Sequence, residues 1–220
     1  MGEQINLTSA DGHNFNAFIS HPEGDAKGAM VVVQEIFGVN SHIRSVCDQY
    51  AALGYIAIAP ALFDRISGGI ELEYDADGVK QGLEYKNKIE DATALLDIAA
   101  AVGHVASSSP TSIVGYCWGG TLAFLAACEM NNLTKAIGYY GGGIAKQLDK
   151  QPQIPVLLHF GDQDGSIPMD DVDLITKTFP ELEIHVYEAG HGFNCDVRGS
   201  YDKPSTDLAL SRTLKFLEGA

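Results

Sequence analysis

Basic residues are scarce. Lys and Arg together number 14 against 29 Asp and Glu in 220 residues, a formal net charge of −15 at pH 7. A surface this acidic repels phosphate backbones and anionic lipid headgroups, so neither a nucleic-acid partner nor a membrane partner is expected. Long apolar runs are missing as well: none reaches the roughly 18 to 20 residues needed to cross a bilayer, and the opening MGEQINLTSADGHNF has no basic stretch followed by an apolar core. The chain is expected to be soluble, unexported and cytoplasmic. Cysteine is sparse, and Cys47, Cys117, Cys128 and Cys195 form no C-x-x-C pair, which argues for reduced thiols and against a disulfide framework or a structural zinc site. No metal or cofactor is implied, since Gly141-Gly142-Gly143 lacks the G-x-G-x-x-G spacing of a nucleotide loop. What is present is 45% hydrophobic residues, which at this length predict a single domain over residues 1–220 with one core.

Along the chain, apolar and polar residues alternate from Ile5 to Pro22 around Asp11-Gly12, which predicts a β-hairpin at a sheet edge. Ala29–Val33 is a β-branched run suited to a strand buried on both faces, followed by a helix from about Ser41 to Leu53 and a strand Tyr55–Ala59. Pro60 to Val79 reads as a long loop rich in glycine and acids. Gln81–Val102 then has helical spacing in Leu83, Ile89, Ala92, Leu95, Leu96, Ile98 and Ala99. After it come strand Ser112–Gly115, helix Gly119–Met130, strands Lys135–Tyr140 and Val156–Phe160, helix Asp170–Phe179, strand Glu183–Tyr187 and helix Thr206–Leu217. This alternation predicts an α/β fold, with a mostly parallel sheet of about 7–8 strands and helices on both faces.

Val114-Gly115-Tyr116-Cys117-Trp118-Gly119-Gly120 sets a nucleophile type between two glycines where a strand gives way to a helix. This is the nucleophile-elbow pattern with Cys in place of Ser. The central residue of such a turn is strained, and backbone must pass close by two positions before and after it, which Gly115 and Gly119 allow. Taken alone, the pattern also fits a small buried cysteine between packing glycines. The residues downstream decide, because a hydrolase of this architecture needs an acid and then a histidine, each past a later strand. After Val156–Phe160 comes Gly161-Asp162-Gln163-Asp164, and after Glu183–Tyr187 comes Gly190-His191-Gly192-Phe193. His191 is the candidate base and Asp164 its orienting acid, with Asp162 competing for that role. His159, inside a strand, is expected to pack or hydrogen-bond, and His13, His21, His42, His104 and His185 read as surface or core residues.

Upstream, Gln34-Glu35-Ile36-Phe37-Gly38 closes the strand Ala29–Val33 where α/β hydrolases supply an oxyanion donor, so the backbone N–H groups of Ile36 and Trp118 form the expected oxyanion hole. Glu35 is either a strand-end charge or a carboxylate able to take the thiol proton. Phe37, Trp118, Tyr139 and Phe193 are candidate walls of an apolar substrate pocket.

Gln34-Glu35-Ile36-Phe37-Gly38-Val39-Asn40, Gly54-Tyr55 with Ala59-Pro60-Ala61-Leu62-Phe63, the elbow Gly115 to Gly120, Tyr139-Tyr140-Gly141, Asp164 and Gly190-His191-Gly192-Phe193 together resemble the dienelactone hydrolase family, in the same order, from about Ala29 to the C-terminus. The resemblance implies an α/β-hydrolase fold and cleavage of a small-molecule ester or lactone, as in carboxymethylenebutenolidases. It implies a Cys117, His191 and Asp164 triad working through a thioester, with Glu35 as the carboxylate that engages the thiol until substrate arrives.

One departure bears on the substrate. Members that act on dienelactone hold its carboxylate with arginines, one after the fourth strand and one four residues past the catalytic histidine. Here Glu71–Glu90 offers only Lys80, Lys86 and Lys88, and the second position is Cys195. Either Lys80 or Arg198 substitutes, or the substrate is neutral or differently shaped. Cys195 reads as an ordinary loop thiol or as a disulfide partner of Cys117 under oxidation, while Cys47 and Cys128 read as packing residues. Two other classes compete: thiol redox or peroxide sensing on the same scaffold, and a non-catalytic binding module. The missing C-x-x-C argues against the first and the intact Cys117, Asp164 and His191 against the second. The assembly is expected to be a monomer or small homo-oligomer.

Overall fold

A computed structural model describes residues 2–106 and 110–219. Apolar runs bounded by turn residues become eight strands of one sheet: β1 (Glu3–Thr8), β2 (Asn14–Ser20), β3 (Gly28–Val33), β4 (Tyr55–Pro60), β5 (Thr111–Tyr116), β6 (Ala136–Tyr139), β7 (Val156–Gly161) and β8 (Glu183–Tyr187). Their spatial order is β1-β2-β4-β3-β5-β6-β7-β8. β1 and β2 pair antiparallel as the hairpin expected at Asp11-Gly12, β2 joins β4 antiparallel, and the remaining neighbours are parallel. Every residue of β3, β5, β6 and β7 is buried, because helices cover both faces of the parallel region. β1, at the edge, has no buried residue.

The helices are α1 (Ser41–Ala52), α2 (Ala76–Lys86), α3 (Asp91–Ala106), α4 (Trp118–Glu129), α5 (Met169–Thr178) and α6 (Lys203–Glu218). α4 is apolar around nearly its whole circumference and buried from Trp118 to Cys128, as a helix enclosed by sheet and neighbours must be. His159 on β7 packs as expected: its two ring nitrogens meet the Tyr187 hydroxyl at 2.8 Å and Thr213 Oγ1 at 3.0 Å.

The region between β4 and β5 departs from the sequence reading. The helix expected over Gln81–Val102 is two helices, α2 and α3, broken between Asn87 and Glu90, and the expected loop Pro60–Val79 contains a 3-10 turn at Leu62–Arg65 and the start of α2. Asp75 caps α2, its side chain accepting from the Gly78 N–H at 2.8 Å. Gly78 and Gly82 lower the helical propensity of this stretch, which hid it from periodicity. Gly82 has a spatial reason: a Cβ there would stand 2.0 Å from the Ile36 carbonyl oxygen, so α2 lies backbone against backbone on the segment leaving β3.

Chain order reverses between β4-β3 and β3-β5, and a crevice opens at the carboxyl ends of the strands on either side of such a point. Glu35 and Ile36 follow β3 there, and Cys117 follows β5. The crevice depends on α4 pressing on β3. A Cβ on Gly119 would lie 2.4 Å from the Val33 carbonyl oxygen and 2.5 Å from that of Gln34, both backbone atoms that cannot rotate away. Gly119→Ala is expected to lower stability by about 1 to 3 kcal/mol or more, as overpacking does, read from the urea midpoint. Gly68→Ala, where a Cβ meets nothing within 4 Å, is the matched control and leaves the midpoint near wild type.

Candidate active site

Cys117 stands at the junction of β5 and α4 with φ 55 and ψ −115. It is one of two non-glycine residues with positive φ among those described, the other being Tyr140 at φ 40. An L-residue holds this conformation only where the surroundings over-determine it. Here the Cys117 N–H donates to the Tyr139 carbonyl at 3.0 Å, and Gly115 lets the first turn of α4 sit so close that a Cβ would be 1.8 Å from the Gly119 oxygen. The turn is pinned from below, and Sγ is half-buried at the crevice.

His191 comes from the loop after β8 and reaches Cys117 across the crevice, with Nε2 3.2 Å from Sγ. Its other nitrogen, Nδ1, is 2.7 Å from Asp164 Oδ2. Asp164 is itself immobilised, Oδ1 accepting the backbone N–H groups of Ser166 at 2.7 Å and Ile167 at 3.2 Å. Asp162, the competing acid, is exposed and makes no such contact. The His191 carbonyl accepts from Ser200 Oγ at 2.7 Å, which ties the loop down. Burial opposes charge on the imidazole, but hydrogen bonds to Asp164 and Cys117 outweigh it and raise the ring from 6.5 to about 10. Around neutrality the ring therefore carries both N–H groups, one toward each partner.

Two residues that line the same cleft as Cys117, Ile36 and Trp118, carry free backbone donors. Trp118 is the first residue of α4, so its N–H has no intrahelical partner, and Ile36 leaves β3 opposite. Neither N–H has an acceptor among the described residues. Trp118 is fixed by its indole Nε1–H, which donates to Asp91 Oδ1 at 2.9 Å.

Glu35 is fully buried, and its partner is not the thiol expected from the resemblance: Oε1 accepts from Arg198 Nη1 at 3.1 Å. Its Oε2 is buried with no hydrogen-bond partner. The Arg198 guanidinium lies over the rings of Phe37, at 5.6 Å, and Tyr74, at 5.7 Å. Gly192 makes room for it, since a Cβ there would come 2.6 Å from Nη1. Of the two substitutes named from sequence, Arg198 lines the cleft and Lys80 does not. Tyr140 was not singled out by sequence. Its ring centroid is 5.1 Å from that of His191, its hydroxyl is buried without a partner, and burial, then the Glu35 charge, hold the phenol well above its ordinary value, so it stays protonated.

The cleft over Sγ has a volume of about 400 Å³ and includes Ile36, Phe37, Trp118, Ile167, His191 and Arg198 in its walls. Tyr139 and Phe193 are not among them, contrary to the sequence reading. Both side chains are buried beneath: the Tyr139 hydroxyl meets Thr213 Oγ1 at 2.8 Å, and Phe193 packs on Tyr140 and Tyr187. Cys195 is a free, fully buried thiol, pushed up to about 12 chiefly by burial. No group of three or more His, Cys, Asp or Glu among the described residues is arranged to hold a metal ion.

A sequence model of the dienelactone hydrolase family matches residues 15–220. The chain is 36% identical over 226 residues to a carboxymethylenebutenolidase of Pseudomonas putida, covering 98% of this chain and 95% of that one. A crystal structure from Klebsiella pneumoniae, of a protein provisionally named a dienelactone hydrolase, superposes with a TM-score of 0.84 at 32% identity over 99% of this chain and 100% of that one. An esterase of Pyrococcus furiosus shares the fold, with a TM-score of 0.72 at 16% identity over 99% and 92% of the two chains.

The protonation of His191 is directly measurable. In ¹⁵N NMR its ring is expected to keep both N–H protons from pH 6 to about 10 and to lose one above that. Cys117→Ala and Asp164→Asn each remove a group that raises the value, so each brings the titration down toward 6.5. A wild-type ring already neutral at pH 7.5 would contradict the assignment.

Proposed function

Since the chain belongs to the dienelactone hydrolase family and is a hydrolase of esters or lactones, we propose that it works by two-step acyl transfer with Cys117 as nucleophile, His191 as acid and base, and Asp164 as the group that orients it. The observation that carries this reading is the unbroken contact chain from Sγ through the imidazole to a buried carboxylate, at 3.2 and 2.7 Å.

In the first step the Cys117 thiolate attacks the carbonyl carbon of a small ester or lactone, and the carbonyl π pair moves onto oxygen. The N–H groups of Ile36 and Trp118 receive that oxyanion. Its collapse forms a thioester and expels the alkoxide, which takes the Nε2 proton of His191. In the second step the neutral imidazole removes a proton from water, and the hydroxide attacks the thioester. Thiolate leaves, His191 is again protonated, and the acid product ionises into solvent. Thiolate is a better leaving group than an amine, so esters and enol lactones suit this nucleophile and amides do not.

Glu35 enters in the other orientation of the side chain: when Sγ is turned from His191 it is a thiol, and Glu35 takes its proton as the thiolate swings back to the imidazolium. Its buried, unpartnered Oε2 supports that role, because a carboxylate oxygen so enclosed lacks a donor. Losing one oxyanion donor in such a site raises the barrier by about 3 to 4 kcal/mol, so the seating of Ile36 against α2 matters to rate.

Cys117→Ala is expected to abolish turnover of an activated ester while keeping the wild-type unfolding midpoint. Rapid quenching of wild type with that ester, followed by mass spectrometry, is expected to place the acyl group on the peptide containing Cys117. Undiminished turnover by the alanine variant would remove the proposal.

A further inference from the structure

Both expected oxyanion donors are seated by one excursion of the chain, the helices α2 and α3 between β4 and β5. α2 rests on the Ile36 carbonyl through Gly82. α3 reaches the other donor through its first residue: Asp91 Oδ1 accepts from Trp118 Nε1–H at 2.9 Å. Trp118 is 5% exposed and is gripped on its face as well, lying against Phe63 with ring centroids 6.0 Å apart and 23° between the planes. Phe63 is itself buried and meets Tyr85 of α2 edge-on at 5.6 Å.

A buried indole needs an acceptor, and that alone accounts for a polar group beside it. It does not account for a carboxylate in the wall of the cleft that holds Cys117 and His191. Negative charge there opposes an oxyanion developing in the same cleft, and a carbonyl or water satisfies an indole without that cost. The charge is offset because Asp91 begins α3, where the helix dipole favours an anion. What the carboxylate gains over a neutral acceptor is a stronger, charge-assisted hold. That hold falls where the backbone is least secured. The first residue of a helix is tied into it through its carbonyl alone, and Trp118 follows Cys117, whose φ of 55 is strained. Any relaxation of that turn rotates the Trp118 main-chain N–H.

We propose that Asp91 is a positioning residue for the hydrolytic reaction: by fixing the Trp118 indole from the start of α3, it holds the adjoining main-chain N–H in line with the oxyanion. This deepens the acyl-transfer reading above and rests on it.

Asp91→Ala is expected to lower kcat and kcat/KM for 4-nitrophenyl acetate alike, about tenfold, as loss of an interaction made in the transition state does. Outright loss of an oxyanion donor costs about a hundredfold or more. Asp91→Asn keeps an acceptor oxygen and recovers to within about threefold of wild type. Trp118→Phe removes the indole donor and loses the same factor as Asp91→Ala, and combining the two costs nothing further. A second readout separates positioning from general damage. A trifluoromethyl ketone adds reversibly to the Cys117 thiolate and forms an oxyanion, so its inhibition constant weakens in Asp91→Ala as much as kcat falls. Alkylation of Cys117 by iodoacetamide forms no oxyanion and keeps its wild-type rate. An unchanged kcat in Asp91→Ala, an asparagine variant no better than alanine, a further loss in the double variant, or a parallel loss of alkylation rate overturns the proposal. Failure of wild type to cleave the ester counts instead against the hydrolytic mechanism. In that event ¹⁹F NMR of the ketone adduct decides the role of Asp91: a weaker adduct in Asp91→Ala supports it, and an equal one, or no adduct with wild type, overturns it.

Discussion

The crevice depends on a single backbone constraint, the approach of α4 to β3 and β5 at distances that leave no room for a Cβ on Gly115 or Gly119. That approach holds Cys117 in a left-handed conformation, with its side chain half-buried in the wall of the cleft. It also leaves the Trp118 N–H at the helix start with no internal partner. The Cys117 turn and the unpartnered Trp118 N–H are thereby set by the same contact. The strain in the turn is sustained by the buried parallel strands around it, one of which accepts the Cys117 N–H at the Tyr139 carbonyl.

A second layer of positioning comes from loops that differ in character. Asp164 is locked by two backbone N–H groups, so the imidazole it orients has one geometry available on that side. The His191 loop, by contrast, is shaped by a guanidinium lying over Gly192, and that guanidinium is held in turn by Glu35 and two aromatic rings. Of the fourteen lysines and arginines, Arg198 stands at the cleft with its charge compensated by Glu35 inside the protein.

Much of this was legible in the sequence where local rules coincide with tertiary ones. Glycines two before and two after Cys117 mark the elbow, and Asp164 and His191 come after their strands in the required order. The parallel strands read as apolar runs because both their faces are covered. Legibility failed where tertiary contact overrides pattern. α2 carries Gly82 because it touches the Ile36 backbone and Gly78 because it abuts the Glu73 carbonyl, so propensity concealed it. Tyr139 and Phe193 are aromatic neighbours of catalytic-type residues, yet their side chains point into the core, a direction that spacing alone does not give. Arg198 was named from sequence beside Lys80, but only the fold of the intervening loop, which brings it over Phe37, decides between them. Tyr140 appeared only within the string Tyr139-Tyr140-Gly141, with no sign of its unusual φ, which is imposed by what surrounds it.

The enclosure of the remaining sulfurs has a consequence for covalent chemistry. Cys47 and Cys195 are sealed within the protein and Cys128 nearly so, and burial raises all three thiols. Toward a soft alkylating agent the folded molecule is in effect a monothiol, with Cys117 as its one reachable sulfur. Reagent consumed per mole of native protein therefore counts intact sites, and unfolding announces itself as a jump from one equivalent to several.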